Sequence, residues 1–326
     1  MTVVHVDTPS RLHFGLIDLN GDIGRIDGSI GLAIDDPGFS LTARASDETV
    51  VLGAGVHENR VRATVTRLQD AWDVGGAEFR FARTIPLHSG LGAGTQLILA
   101  VMHSLGRLYG ITLAQDDVMR LSGRGGASGI GLHAFLEGGF IVDGGHGFPG
   151  RKQSYLPSAA STDAGVGPLL LRQEFPNWDI LLMIPAGRHI SGEEEVRLFQ
   201  GLCPMPPEAA MHICHALVMG MLPALAERDL PTFGRSLEQS QSVGWKQVEI
   251  DAQGEVVHRT LAFARDSGAH GAAMSSWGPA TAVFVDDAED LKPEADAFLE
   301  SLPNGGVCLV TKANNIGARI VVDDTA

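Results

Sequence analysis

The segment Pro86-Leu87-His88-Ser89-Gly90-Leu91-Gly92-Ala93-Gly94-Thr95-Gln96 sets three glycines at alternate positions just ahead of an apolar run, 97–108, with helical spacing. A glycine-rich turn feeding a helix leaves backbone N–H groups unpaired at the positive end of the helix dipole. Such a turn is a seat for phosphate or diphosphate. Gly90, Gly92 and Gly94, with Thr95 and Gln96, are the candidates for that cradle. The same pattern without a ligand is an ordinary helix start, and the glycines alone leave both readings open. No Gly-Lys-Ser/Thr follows, so the loop is not of the Walker type, and the glycine spacing is not that of a dinucleotide fingerprint. The chain has 20 Arg but only 4 Lys. Anion recognition therefore falls mostly to guanidinium groups, which grip phosphate or carboxylate through two parallel bonds. Arg11 and His13 share one face of a strand-like run, and Arg124 lies between two glycines. Each is either an anion ligand or a surface charge. Asp143 and His146 bracket Gly144-Gly145, a pattern that also makes a hairpin turn.

Strands and helices must hold these residues in place. Strands are expected at 3–6, 11–19, 40–44, 49–52 and 79–85, with Leu12, Phe14 and Leu16 on the face of the second strand opposite Arg11 and His13. Residues 21–31 read as a glycine-punctuated turn region. Helices are expected at 61–72, 97–109 and 115–122, the last with Thr112 near its start as cap. Residues 135–142 read as a strand with a bulge at Gly138-Gly139, and 152–168 as a surface loop. A strand at 178–185 precedes a capping box, Ser191-Gly192-Glu193-Glu194. Glu193, Glu194 and Glu195 read as an acidic first turn that complements the dipole, with metal binding as the alternative. Further helices are expected at 207–228, 230–241, 257–267 and 291–301, and strands at 272–274, 281–285, 307–311 and 318–322. This mixing without strict alternation favours an α+β fold over a doubly wound parallel sheet.

The length of 326 residues suits one large or two ordinary domains, and 44% hydrophobic with 19% charged residues describes an ordinary globular composition. A net charge of −15 argues against a general nucleic-acid or membrane surface. Cys203, Cys214 and Cys308 are scattered, so neither a zinc site nor a disulfide framework is suggested. No signal peptide or membrane span is expected, and a reducing cytoplasm is the default compartment.

Three segments in order, Pro9-Ser10-Arg11-Leu12-His13-Phe14-Gly15, the loop at 86–96, and Gly268 through Ala280 with Ser275-Ser276-Trp277-Gly278-Pro279, resemble the GHMP kinase superfamily. The resemblance implies a two-domain fold: an N-terminal domain over 1–170 like part of a ribosomal protein, a ferredoxin-like C-terminal domain over 171–326, and an active site between them. It also has departures. The kinases usually carry two serines where this chain has Ala93 and Gly94. Many of them read Ser-Gly-Ile-Asp, with the acid as catalytic base, where this chain reads Ser128-Gly129-Ile130-Gly131. Glycine accepts no proton, so ordinary phosphoryl transfer loses its base. The run Gly123 to Gly131, continuing to Gly138-Gly139-Phe140-Ile141-Val142-Asp143-Gly144-Gly145-His146, is similar to one branch, the β-ribofuranosylaminobenzene 5′-phosphate synthases. So are Arg11 to Leu16, Gly90 to Gln96, and Gly192 to Glu195. That branch usually has a serine at the Ala93 position.

The resemblance implies a glycosyltransferase that joins phosphoribosyl pyrophosphate to 4-aminobenzoate with loss of pyrophosphate and CO2, in the biosynthesis of the one-carbon carrier tetrahydromethanopterin. It implies Mg²⁺ as cofactor, held by Asp143, and His146 as a proton-handling or carboxylate-binding group. Asp27 and Ser29 line the same cleft in this reading, and Ser128, Ser275 and Ser276 contact substrate. A homodimer is expected. An ATP-dependent kinase of the same superfamily and a non-catalytic phosphometabolite binder are the alternatives.

Overall fold

A computed structural model describes residues 2–161, 164–190 and 192–324. The strands are β1 (Thr2–Asp7), β2 (Ser10–Asp18), β3 (Arg25–Ile34), β4 (Ser40–Ser46), β5 (Val50–Leu52), β6 (Gly76–Arg83) and β7 (Phe140–Asp143). They continue as β8 (His146–Gly147), β9 (Leu169–Gln173), β10 (Asp179–Pro185), β11 (Gly271–Met274), β12 (Thr281–Val285), β13 (Gly306–Thr311) and β14 (Arg319–Asp324). The helices begin with α1 (Glu58–Trp72), α2 (Ala93–Leu108), α3 (Gln115–Ser122), α4 (Ile130–Leu136) and α5 (Glu193–Leu202). They end with α6 (Pro207–Ala216), α7 (Leu222–Glu227), α8 (Leu230–Gln241), α9 (Gly244–Gln253), α10 (Glu255–Asp266) and α11 (Ala288–Glu300).

Three sheets result, ordered β14-β1-β4-β6-β5, β2-β3-β7-β9 with β8 also on β3, and β11-β12-β10-β13. The last is antiparallel throughout, and its β-α-β-β-α-β chain order is ferredoxin-like. The two halves are not cut at residue 170 as expected. That position lies inside β9, which pairs with β7, and β14 returns to the chain's start to pair with β1. A continuous core joins them: Phe14 meets Phe284, and Phe140 meets Phe233, edge to face with centroids 6.4 and 6.1 Å apart. Each such ring contributes about 1.5–3 kcal/mol of apolar burial, which ties the sheet carrying β2 to the ferredoxin-like sheet.

Several local expectations fail for identifiable reasons. Residues 21–31 are largely strand: β3 is buried from Ile26 to Ile34, and Gly31 serves close packing, since a Cβ there would lie 2.6 Å from the Leu12 carbonyl oxygen. The stretch 135–142 is the end of α4 followed by β7, because Gly138 and Gly139, both at positive φ, stop the helix. Thr112 does not cap α3, whose N-cap is Ala114 with no side-chain bond. Ser191 lies outside the described residues; α5 begins at Glu193 with Gly192 at its N-cap. Pro207–Glu227 is long and apolar enough to cross a membrane by length and composition alone, although no membrane span is expected from the sequence. It folds as α6, a π-helical stretch Leu217–Met221 and α7, packed against α8. Its Met211, Val218 and Met219 are exposed.

Candidate active site

A cavity of about 240 Å³ opens between the glycine loop, β2, α4, α5 and α9. Three segments distant in sequence are pinned together at its edge by one hydroxyl. Ser275 accepts the His13 N–H at 2.9 Å and donates to the Gly90 carbonyl oxygen at 2.6 Å. The Ser276 N–H donates to the His13 carbonyl at 2.8 Å. Gly90 is at φ +81° and packs directly on the 275–278 turn.

β2 delivers Arg11 and His13 as the alternation requires, but a bulge between His13 and Gly15 shifts the register. An extra residue in a strand exchanges its faces, so Leu16 joins Arg11 and His13 on the cavity wall instead of facing away. Arg11 lies along Gly92, donates to the Gly90 carbonyl at 2.5 Å, and has its pKa lowered to about 10 by burial. His13 is 6% exposed, with an Nδ1 that has no hydrogen-bond partner. Burial first, then the charges of Arg11 and Lys246, hold its pKa well below the usual histidine value, so the ring is neutral at pH 7.

α2 starts on Gly92, at φ +78°, with no side-chain cap. Thr95 and Gln96 turn back to the Gly92 carbonyl, and the N–H groups from Gly90 to Gly94 donate to no backbone carbonyl among the described residues. Arg60 and Arg124 crowd the Gly94 Cα; a Cβ there would lie 3.1 Å from Arg124 Nη2 and closer still to Arg60. Neither forms an ion pair with a carboxylate among the described residues, and burial together with the charges of Arg60 and Arg67 lowers the Arg124 pKa. An uncapped helix start ringed by Arg11, Arg60 and Arg124 is a site for a polyanion. Thr95 packs directly on Gly131 beside it: a Cβ on Gly131 would lie 3.1 Å from Thr95 Cγ2.

Another part of the lining is aromatic. Phe199, Trp245 and Trp277 cluster with Leu16, with Trp245 centroids 4.1 Å from Phe199 and 5.8 Å from Trp277. Two carboxylates join them. Glu249 is ion-paired with the buried Lys246, which also donates to the Ser276 carbonyl at 3.0 Å. Glu195 accepts the Trp277 indole N–H at 2.8 Å. Burial and the Glu249 charge, opposed by the indole bond, push the Glu195 pKa up to about 7.

Of the sequence candidates, Arg11, His13, Thr95, Arg124, Ser128 and Ser276 line the cavity, and Gly92 and Gly94 lie beneath its arginines. Others do not reach it. Gln96 is fully buried and donates to the Gly131 carbonyl at 2.8 Å. Ser275 is the joint described above. Asp27 is buried as acceptor for His146 Nδ1 at 2.6 Å and Lys152 Nζ at 3.0 Å, and His146 Nε2 faces the Gly165 carbonyl at 3.3 Å. With both ring nitrogens engaged away from the cavity, His146 is not the proton-handling group it was expected to be. Asp143 is fully buried and accepts from Ser29 Oγ and from the Gly129 and Gly145 N–H groups, each at 3.0 Å. Burial pushes its pKa up, against those bonds. These donors occupy the carboxylate, so Asp143 does not fit as a Mg²⁺ ligand or a catalytic group. No three His, Cys, Asp or Glu side chains converge for a metal among the described residues. Ser29 passes the effect of Asp143 outward, its Oγ lying 2.6 Å from Ser128 Oγ at the cavity wall.

Sequence reasoning missed Arg60, Lys246 and Glu249, and read Glu195 only as one of three acids in a helical first turn or at a metal. Helix α9 was not expected at all, although Trp245 and Glu249 stand four apart and so share a face of it.

The GHMP kinases N terminal domain profile matches residues 59–139, and the GHMP kinases C terminal profile matches 221–304. A beta-ribofuranosylphenol 5'-phosphate synthase of Archaeoglobus fulgidus is 39% identical over 324 residues, covering 98% of this chain and 100% of that one. A protein of the same name from Methanocaldococcus jannaschii is 36% identical, covering 97% and 99%. Among solved structures, L. major mevalonate kinase has a TM-score of 0.68 at 15% identity, covering 95% of this chain and 96% of that one. Homoserine kinase from Cytophaga hutchinsonii has 0.66 at 17%, covering 98% and 97%. Those two likenesses concern the fold, whereas the full-length relatives concern descent. The chain belongs to the beta-ribofuranosylphenol 5'-phosphate synthase family, built on the GHMP kinase fold.

Proposed function

We propose that this cavity forms a carbon–carbon bond between ribose C1 of phosphoribosyl pyrophosphate and the carboxylate-bearing ring carbon of a para-substituted benzoate, releasing diphosphate and CO2. The observation that carries the reading is the pairing of an arginine-ringed, uncapped helix start with an aromatic slot, while glycine stands at the kinases' acid position. The arginines and the N–H groups of the loop hold phosphate oxygens and take up charge as diphosphate leaves C1. Phe199, Trp245 and Trp277 hold the arene against the resulting sugar cation. Alignment of the two reactants supplies part of the rate, on the order of 7–11 kcal/mol for well-oriented partners.

The relatives' name specifies a ribofuranosylphenol product, where the sequence motifs suggested the aminobenzene. The two differ in the para atom of the ring, and in this reading both 4-hydroxybenzoate and 4-aminobenzoate enter the slot. The product belongs to tetrahydromethanopterin biosynthesis, and the enzyme works in the cytoplasm. Mg²⁺ accompanies the diphosphate as its counter-ion. Purified protein is incubated with phosphoribosyl pyrophosphate, Mg²⁺ and each carboxyl-labelled acid, and labelled CO2 is trapped. Release that needs both organic substrates supports the reading; absence of CO2 with either acid sinks it. Omitting Mg²⁺ tests the counter-ion, and light scattering tests the homodimer.

A further inference from the structure

The carboxylate-bearing ring carbon of the arene is the reacting end, so it lies by the ribose and its arginine-bound phosphates. In that reading the para substituent, across the ring, lies toward the aromatic part of the lining that carries Trp277 and α5. Two carboxylates line that part of the cavity. Glu249 is committed to Lys246. Neutral His13 lies between the cations Arg11 and Lys246, which disfavour a second proton there. Asp27, Asp143 and His146 are sealed behind the wall by their own partners. Glu195 alone is left at the aromatic end, half-buried, with Oε1 fixed by the Trp277 indole.

Resting on the transferase reading above, we infer that Glu195 is a catalytic residue: it takes the proton of the para hydroxyl as the ring bonds to ribose C1, and returns it as CO2 leaves. The atoms and electrons balance. The C1–O bond to diphosphate breaks and its electron pair leaves with the diphosphate. The ring carbon bonds C1 while the phenol proton passes to Glu195, giving a neutral dienone whose reacting carbon carries ribose and carboxylate. The ring-to-carboxylate bond then breaks, its pair restores the aromatic ring as phenolate, CO2 departs, and the phenolate takes the proton back from Glu195. A base is best when its own pKa lies near the working pH, and burial beside Glu249 puts this carboxyl at about 7. Glu249, paired with Lys246 on α9, is the charge that acts on it; Arg11 and Arg124 also line the cavity, while Glu193, Glu194 and Arg197 share its helix at neighbouring positions that do not face it.

An aniline N–H is far less acidic than a phenol, so the two acceptors separate the roles. Glu195→Gln keeps an acceptor for the Trp277 indole. With 4-hydroxybenzoate its kcat is expected to fall by about 10²–10⁴, with KM for phosphoribosyl pyrophosphate unchanged. With 4-aminobenzoate the fall is expected to be clearly smaller. Wild-type kcat with 4-hydroxybenzoate is expected to rise with pH through a limb near 7, and Glu195→Gln is expected to remove that limb. Trp277→Phe deletes the bond that stabilises the ionised carboxylate, so the limb moves to higher pH. The inference is overturned by a Glu195→Gln enzyme that keeps wild-type kcat or the limb, by equal losses with both acceptors, or by a limb that Trp277→Phe leaves in place. No CO2 from the wild-type enzyme with either acid would instead overturn the transferase reading.

Discussion

Replacing Arg124 with Gln sets function against stability. Arg124 lines the cavity, crowds Gly94 beside Arg60, and has no carboxylate partner among the described residues. Burial first, then the neighbouring charges of Arg60 and Arg67, disfavour its ionised form. In the complex it would give a charge-assisted hydrogen bond to a phosphate oxygen, worth about 1.5–3 kcal/mol. At 1.36 kcal/mol per tenfold, Arg124→Gln should lower kcat/KM for phosphoribosyl pyrophosphate by about 10–150-fold. In the free protein the same change relieves repulsion among guanidiniums. The relief is discounted for solvent to about 0.5–1 kcal/mol, or about 1–4 °C in Tm for a chain of this size. The assay is labelled-CO2 release at varied donor concentration, with thermal unfolding followed in low and high salt. The stability gain should shrink in salt, because screening already weakens the repulsion. An unchanged kcat/KM in a folded variant would refute the assignment of this cluster to the donor, and a large fall in Tm would refute the claim that Arg124 lacks a structural partner.

The remaining expectations concern the loop and the buried groups. Gly94→Ala should fold normally, since only arginine ends lie in the way, yet raise KM for phosphoribosyl pyrophosphate about tenfold; Gly90→Ala, at φ +81° and packed on the 275–278 backbone, should lose stability by more than about 1 kcal/mol in a denaturant titration. Asp143→Asn should cost about 1–3 kcal/mol, because an amide cannot accept all three of the bonds from Ser29, Gly129 and Gly145. The Mg²⁺ concentration for half-maximal rate should not change in that variant, and a shift would reinstate Asp143 as a ligand. His13 has a folded pKa below its unfolded one, so the unfolded chain binds the proton first and stability falls as pH drops below about 6.5. His13→Asn should flatten that acid limb in pH-dependent thermal unfolding, and an unchanged limb would show that other groups cause it.

Local pattern was enough for much of this molecule. The glycine turn ahead of α2, the alternation that aims Arg11 and His13 together, and the glycine at 131 were all legible, because each is a property of a few consecutive residues. The α+β class followed from the same short-range periodicities. What the sequence left undecided depended on segments far apart. The Asp143–Gly145 motif suggested a metal site, but β3 lies against β7 and Ser29 closes over the carboxylate, 114 residues away in the chain. Glu193, Glu194 and Glu195 are equivalent as an acidic turn. Only the tertiary structure singles out Glu195: Trp277, 82 residues on, fixes its carboxylate, while burial and the Glu249 charge raise its proton affinity against that bond. The Leu16 error came from one extra residue in a strand, a bulge that alternation cannot foresee. Backbone preference is set by neighbours in sequence; burial, charge and proton affinity are set by neighbours in space, and these the tertiary structure alone decided.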